Sequence, residues 1–237
     1  SALTHHSTPQ SVDWFAYKDN EQASREHIAR TLRAWRGLPF EEDDIFLTNG
    51  AFAAISVVLT ALLNPGDEVI FISPPWFFYE TLIHAAGGTP VQVRCNLDTF
   101  DLDIDAIAAA ITERTRAIII NSPNNPTGRI YPVETLRALA DVLTRASQRH
   151  GRPIAILSDE AYSRIVFDGH TFVSPSAVYP HTFVIYTYTK TLLIPGERIA
   201  YIALAPDMPE RDTWRSVLFM AQIVTGFAFP NAVLQYA

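Results

Sequence analysis

Residues 116–128 read Arg-Ala-Ile-Ile-Ile-Asn-Ser-Pro-Asn-Asn-Pro-Thr-Gly, an apolar, β-rich run that ends in a turn of Asn, Pro and Gly residues. The first six residues are typical of a buried strand, because the run is short, rich in β-branched residues and closed by turn residues. Two later runs, Ile154 to Ser158 and Phe183 to Thr187, have the same character and are also followed by polar side chains. The pattern indicates buried strands with polar groups at one end of each.

Outward from these runs, strands and helices are predicted to alternate from Ile45 onward. The predicted strands are Glu68 to Ser73, Val91 to Arg94, Arg116 to Asn121, Ile154 to Ser158, Phe183 to Thr187 and Ile199 to Ala205. The predicted helices between them are Ala51 to Leu63, Phe77 to Ala86, Ile104 to Thr112 and Val133 to Gln148. This alternation predicts an α/β fold with a mostly parallel central sheet and helices on both faces.

The segment before this alternating core contains one more predicted helix. Apolar residues from Ile28 to Trp35 recur on one helical face with charged residues between them, so residues 22–36 are expected to form an amphipathic helix. It should end near Gly37. Residues 1–44 are therefore interpreted as an N-terminal segment with one helix.

Composition excludes several classes of function. The 237 residues carry a formal charge of −7 and their Lys and Arg residues are dispersed, so neither nucleic acid nor a membrane is expected as a partner. Cys95 is the single cysteine, which excludes an intrachain disulfide and a multi-cysteine metal site and fits a reducing cytoplasm. The most apolar stretch, residues 51–63, is too short to span a bilayer. No metal site is predicted.

The polar motifs are placed where ligands bind in parallel α/β sheets, at the carboxyl ends of strands. The turn at 124–128 follows the strand that ends at Asn121, Asp159 follows the strand at 154–158, and Lys190 follows the strand that ends at Thr187. These side chains should meet at one edge of the sheet.

Three motifs carry a family resemblance when they occur in this order. They are Asn125-Pro126-Thr127-Gly128, Asp159-Glu160-Ala161-Tyr162, and Lys190 followed eight residues later by Arg198. With this set, the chain resembles the catalytic large domain of the fold-type I, pyridoxal-phosphate-dependent aminotransferases of classes I and II. The resemblance begins at about Tyr17. It implies a cofactor-binding large domain over residues 45–225 and the start of an interdomain helix over residues 226–237.

The resemblance implies that the cofactor is pyridoxal 5′-phosphate, held by Lys190 as a Schiff base. The lysine amine condenses with the cofactor aldehyde; after the substrate displaces it, the amine moves a proton between the substrate Cα and the cofactor. Lysines are most often solvated surface residues, but the apolar run 184–186 just before Lys190 argues against that interpretation.

Asp159, Tyr162 and Asn125 are implied to contact the cofactor ring. A buried carboxylate, Asp159, keeps the pyridine nitrogen protonated, while the Tyr162 hydroxyl and the Asn125 amide reach the phenolic oxygen. Structural alternatives stay open, because Asp159 can cap a helix and the Asn-Pro-Thr-Gly run can simply be a turn. Glu160 is expected to point elsewhere.

The resemblance places the cofactor phosphate at the helix that follows Asn49-Gly50. The amides of Ala51 and Phe52 would receive it, together with the Thr187 hydroxyl and the Arg198 guanidinium. The family usually has Ser or Thr where Phe52 stands, so one hydroxyl contact is expected to be lost. Taken alone, Asn-Gly-Ala is more often a turn and an arginine more often part of a surface ion pair.

Two aromatic residues are also carried over from the family. Trp76 matches the residue that stacks on the cofactor ring, although the aromatic run 76–79 also suits core packing. Tyr17 corresponds to a tyrosine that reaches the phosphate in the other subunit of a homodimer, although its local sequence departs from the family. The Ser73-Pro74 and Asn125-Pro126 bonds are expected to be cis.

The resemblance implies that the family's small C-terminal domain, with the arginine that clamps the substrate carboxylate, would follow the last residue given, Ala237. Both ends look cut, because the sequence begins without Met and stops inside an apolar, helix-like run at 232–237. The implied reaction transfers an amino group between an amino acid and a 2-oxo acid in two stages. Two alternatives remain: another pyridoxal-phosphate enzyme (lyase, decarboxylase or cyclising synthase), or a non-catalytic module that binds the cofactor.

Overall fold

A computed structural model describes residues 2–237 and contains one mixed β-sheet. Its seven strands are β1 (Ile45–Thr48), β2 (Glu68–Ser73), β3 (Thr89–Arg94), β4 (Thr115–Asn121), β5 (Ala155–Asp159), β6 (Thr182–Thr187) and β7 (Ala200–Leu204). They lie in the order β1-β7-β6-β5-β4-β2-β3. β7 runs antiparallel to both β1 and β6, whereas the pairs from β6 across to β3 are parallel. The prediction of a mostly parallel sheet is confirmed.

Helices connect most of these strands. They are α1 (Ala2–His6), α2 (Gln22–Arg36), α3 (Gly50–Leu62), α4 (Tyr79–Ala85), α5 (Ile104–Ala110), α6 (Val133–His150), α7 (Tyr188–Thr191), α8 (Arg211–Val224) and α9 (Ala232–Tyr236). The predicted bounds of α2 agree with the structure. It ends where Gly37 adopts a left-handed conformation and donates its amide to the Arg33 carbonyl. α1, α7 and α8 were not predicted from the sequence, so residues 2–44 contain two α-helices rather than one, and α4 begins two residues later than expected.

The helices cover both faces of the sheet, as its side-chain pattern requires. In β2, Val69 and Phe71 pack on one side with apolar residues of α3, α4 and α8. Their neighbours Ile70 and Ile72 pack on the other side with residues of α5 and α6. Because successive strand residues point to opposite faces, a strand covered on both sides must be apolar throughout, which explains the uninterrupted apolar runs.

Helix α2 completes the second face near β1 and β7. Ile28, Ala29 and Leu32 of α2 are buried against β1, β6 and β7, in a cluster that contains Tyr186 and Tyr201. Residues predicted to lie outside the alternating core therefore contribute directly to it.

Three peptide bonds before proline are cis in the structure. Ser73-Pro74 and Asn125-Pro126 were predicted, and Ser122-Pro123 was not. All three lie after the carboxyl ends of β2 and β4. Among residues 2–237, none of the helices has both the length and the apolar character needed to cross a membrane.

Candidate active site

A cavity of about 150 Å³ lies at the carboxyl ends of β4, β5 and β6, beside the first turn of α3. Nine residues singled out from the sequence line it: Ala51, Phe52, Trp76, Asn125, Asp159, Tyr162, Thr187, Lys190 and Arg198. Tyr17, the tenth, is not among the lining residues. Four more lining residues were not identified from the sequence: Ile55, Asn121, Ala161 and Thr189. Of these, Asn121 had a visible signal, because it is the polar last residue of an otherwise apolar strand.

Lys190 lies in α7, the single helical turn that follows β6. Its side chain is half-buried, and the Nζ atom lies 5.5 Å from the centroid of the Tyr162 ring. α7 starts where the Thr187 side chain caps the amide of Thr189. The strand end and this cap together direct the lysine into the cavity rather than along the surface.

Asp159 is the buried last residue of β5. Its Oδ2 atom accepts a hydrogen bond of 2.6 Å from the Tyr79 hydroxyl, and its Oδ1 atom accepts one of 3.2 Å from the Ala161 amide. Burial raises the pKa of the Asp159 carboxyl above its usual range, and these two bonds offset only part of that effect. Residues 161–164 form turns, so Asp159 does not cap a helix.

Tyr79 is a residue of the site that sequence reasoning missed. It was assigned to core packing with the other aromatics of residues 76–79, and its ring is indeed buried in the core. Burial and the adjacent Asp159 carboxylate raise the pKa of the Tyr79 hydroxyl well above its usual value. The hydroxyl therefore stays protonated and acts as a permanent hydrogen-bond donor to Asp159.

Glu160 points away from the cavity, as predicted. Its carboxylate forms an ion pair with Arg36 at the end of α2, and both side chains are almost fully buried. Glu160 Oε1 also accepts hydrogen bonds from the hydroxyls of Ser158, at 2.9 Å, and Ser174, at 2.6 Å. This network attaches α2 to the strand end that carries Asp159.

The Glu160→Gln variant is expected to lower the free energy of unfolding by about 3–5 kcal/mol, because it leaves the Arg36 guanidinium buried without a countercharge. Urea unfolding followed by circular dichroism measures this loss. The matched control is Asp43→Asn, which removes the exposed pair with Arg25 and should cost less than about 1 kcal/mol. Equal losses in the two variants would contradict a structural role for the buried pair.

The turn after β4 is held by its own asparagines. Asn121 Oδ1 accepts the Asn125 amide at 2.7 Å, and Asn121 Nδ2 donates to the Asp159 carbonyl at 3.0 Å. Asn124 Oδ1 accepts both the amide and the hydroxyl of Thr127. The interpretation of this run as a turn is therefore correct, and the turn also places Asn125 in the cavity wall.

The opposite end of the cavity is positively polarised. α3 begins there, and the side chain of its N-cap residue, Asn49, makes no capping hydrogen bond, so the first-turn amides are not occupied by it. Gly50 has φ = +84°, and a Cβ built on it would lie 2.7 Å from Cζ of Arg198. Glycine is therefore required for the guanidinium to pack against the helix start.

Arg198 and Thr187 both have partners of their own at this end. Arg198 Nη1 donates to the Pro195 carbonyl at 2.9 Å, which fixes one edge of the guanidinium. The Thr187 hydroxyl donates to the Ile199 carbonyl at 3.1 Å. To donate to an anion, Thr187 must give up this bond, whereas Arg198 keeps other N–H groups available.

Comparison with known proteins identifies the family. The model for "Aminotransferase class I and II" matches residues 6–237. The chain belongs to this family. Aspartate/prephenate aminotransferase of Thermus thermophilus is 38% identical over 179 residues, which are 75% of this chain and 45% of that protein. Aspartate aminotransferase of Geobacillus stearothermophilus is 34% identical over 220 residues, 91% of this chain and 53% of that protein.

Solved structures of aminotransferases share the fold. An amino transferase from Eubacterium rectale is 33% identical and superimposes with a TM-score of 0.96, over 99% of this chain and 60% of the other. The chain spans about half the length of the curated relatives it matches. Members of this family depend on pyridoxal phosphate.

The residues of the cavity fit pyridoxal phosphate chemically. The buried Asp159 carboxyl, with its raised pKa, gains from a cationic partner such as a protonated pyridine nitrogen. The α3 N-terminus and Arg198 offer fixed positive potential to a phosphate. Lys190 brings an amine into the same cavity. The carboxyl group therefore suits the ring nitrogen of this cofactor, the positive end of α3 with Arg198 suits its phosphate, and the amine suits its aldehyde.

Proposed function

We propose that this chain carries the cofactor-binding centre of an aminotransferase that exchanges an amino group between an amino acid and a 2-oxo acid. One observation carries the proposal: Lys190, Asp159 and Arg198 line a single cavity at the carboxyl ends of the strands. The cofactor, pyridoxal phosphate, is inferred from membership of the family. The names of the relatives make aspartate the first amino acid to test.

Lys190 is proposed as the residue that binds the cofactor and moves the proton. Pyridoxal phosphate, when bound, supplies an aldehyde that condenses with amines and a protonated ring that withdraws electrons. The Lys190 amine takes the proton from the substrate Cα and returns it to the carbon where the new C–H bond forms. The position of Lys190 in α7 supports this role, because this short helix begins directly after the end of β6.

Asp159 is proposed to hold the ring nitrogen in its protonated form. Its carboxylate is oriented by hydrogen bonds from Tyr79 and from the Ala161 amide, and it would supply the negative charge that stabilises a protonated ring nitrogen. Tyr162 and Asn125 are proposed to hydrogen-bond the phenolic oxygen, since both residues line the same cavity as Lys190. These contacts set the proton affinity of the amine.

The phosphate is proposed to bind the amides of Ala51 and Phe52, the Arg198 guanidinium and the Thr187 hydroxyl. The uncapped start of α3 supports the amide contacts. Trp76 is proposed to stack on the cofactor ring, because it lines the same cavity and is only partly buried.

We propose a homodimer in the cytoplasm. Tyr17 is 87% exposed, which leaves it free to reach a second subunit, and its ring lies 5.0 Å from that of Phe229. The single cysteine, Cys95, is buried and suits a reducing compartment. Residues 45–225 are proposed as the large domain and residues 226–237 as the start of the helix toward a small domain; α9 supports the second assignment.

The decisive experiment is a single-turnover half-reaction. The purified chain is loaded with pyridoxal 5′-phosphate, mixed with excess aspartate, and the products are identified. An aminotransferase releases one 2-oxo acid per cofactor and retains the amino group on the cofactor. Release of carbon dioxide or of free ammonia would replace the proposal with decarboxylase or lyase chemistry. Cofactor binding without consumption of any of the twenty amino acids would favour a binding module.

A further inference from the structure

The Phe52 side chain packs against other aromatic rings of the cavity wall, although only its backbone amide is proposed to contact the phosphate. Phe52 is the third residue of α3, lines the cavity and is 37% exposed. The ring packs edge-to-face on Trp76, with centroids 5.7 Å apart and planes at 85°. It also meets Phe78 at 5.3 Å. The side chain is therefore directed toward the aromatic wall.

Trp76 is enclosed by rings that stand at steep angles to its own. Phe78 lies 5.2 Å away at 68°, and Tyr79 lies 5.4 Å away at 74°. These two rings belong to the same short segment as Trp76. Within residues 2–237, Phe52 provides the ring contact to Trp76 that comes from outside residues 76–79. This contact pairs the tryptophan ring with an aromatic ring at the start of α3.

The geometry determines what Phe52 can contribute. A phenyl ring offers no hydrogen bond to a phosphate, but an edge-to-face pair favours one orientation of its partner. The Trp76 ring that lines the cavity thus packs against Phe52 of α3 and also against Tyr79, the donor to Asp159. Phe52 connects the two ends of the cavity through the tryptophan.

We propose that Phe52 is a positioning residue that orients Trp76, so that it strengthens binding of the cofactor ring rather than of the phosphate. This rests on the proposed function for the identity of the ligand. Loss of one aromatic pair should weaken ring binding roughly two- to tenfold. The loss should be the same whether or not the ligand carries a phosphate.

The binding test compares pyridoxal 5′-phosphate with pyridoxal, which has the same ring and aldehyde but no phosphate. Dissociation constants are measured by absorbance for the unmodified chain, Phe52→Leu and Phe52→Tyr. We expect Phe52→Leu to weaken both ligands by the same two- to tenfold factor and Phe52→Tyr, which keeps the ring, to restore both. Weakening of the phosphate form alone, no weakening in Phe52→Leu, or a failure of Phe52→Tyr to restore binding would overturn the proposal.

A second measurement tests orientation in the cofactor-free chain. The four tryptophans are replaced by 5-fluorotryptophan, and fluorine NMR spectra are recorded. The Trp76 resonance is assigned as the one that disappears in Trp76→Phe. We expect one narrow Trp76 resonance in the unmodified chain and in Phe52→Tyr, and a broadened or split one in Phe52→Leu. An unchanged resonance in Phe52→Leu would overturn the positioning role. If the unmodified chain binds neither aldehyde, the proposed function fails, and this spectrum alone decides the role of Phe52.

Discussion

Lys190→Ala is expected to slow the half-reaction with an amino acid by roughly 10²- to 10⁴-fold, the usual contribution of a positioned proton-transfer group. The variant should also lose covalent attachment of the cofactor. The sequence makes attachment easy to assign, because it contains only two lysines, Lys18 and Lys190. Borohydride reduction of the loaded chain followed by intact mass and peptide mapping should place one cofactor on Lys190 in the unmodified protein and none in the variant.

Lys18→Arg is the matched control for this experiment. Lys18 lies in the N-terminal segment beside Tyr236, and its amine lies 5.7 Å from the centroid of that ring. The control should keep both the covalent label and the rate of the half-reaction. If the covalently bound cofactor remained in Lys190→Ala but disappeared in Lys18→Arg, the assignment of Lys190 as the Schiff-base lysine would be wrong.

Asp159→Asn is expected to weaken cofactor binding and to stabilise the cofactor-free chain. Removing one partner of a buried charge pair costs about 2–5 kcal/mol, which is roughly 30- to 5000-fold in the dissociation constant of pyridoxal phosphate. An asparagine can still accept from the Ala161 amide through its oxygen, while its NH2 group donates to the Tyr79 hydroxyl instead of accepting from it. The variant therefore removes the charge and reverses one hydrogen bond.

The stability effect of this variant has a defined pH dependence. Burial raises the pKa of Asp159 in the folded state above its unfolded value, so the folded chain binds more protons in the interval between them. Its free energy of unfolding therefore falls as pH rises through that interval. Asp159→Asn should remove this fall and be more stable than the unmodified chain at neutral pH, as measured by urea unfolding at several pH values without cofactor. Lower stability of the variant at neutral pH would contradict this account.

Much of the fold could be predicted because the strands are uninterrupted apolar runs that turn residues separate. The run from 116 to 121 differs from the observed β4 by one residue, and the predicted bounds of β2 match the structure. The direction of each strand is harder to predict from the sequence. An apolar run such as β7 has the same composition in either direction, so its reversal within the sheet depends on pairing with β1 and β6.

α8 was missed for a local reason. Its N-cap residue, Glu210, is in a left-handed conformation and makes no side-chain cap, so the usual start signal is missing. The helix is instead stabilised by tertiary contacts, since Leu218 and Ala221 pack in the core and Arg215 pairs with Asp44.

The positions of the site residues were easier to predict than their partners. A parallel sheet places polar strand ends together, so Asp159, Thr187 and Lys190 could be assigned to one edge before any geometry was known. The Tyr79 bond to Asp159 joins residues 80 positions apart. Nothing in an aromatic run distinguishes the ring that donates to a buried carboxylate from those that only pack.

The reversed direction of β7 accounts for the spacing that identifies the family. β6 ends at Thr187 and β7 begins at Ala200, so the two strands and their connection form a hairpin. In a hairpin the second strand starts at the edge where the first one stops. A parallel strand of five residues would start at the far edge, about 17 Å away. Lys190 and Arg198 are close in sequence and still line one cavity because the chain reverses direction between β6 and β7. The short spacing of this motif is therefore a consequence of the sheet topology.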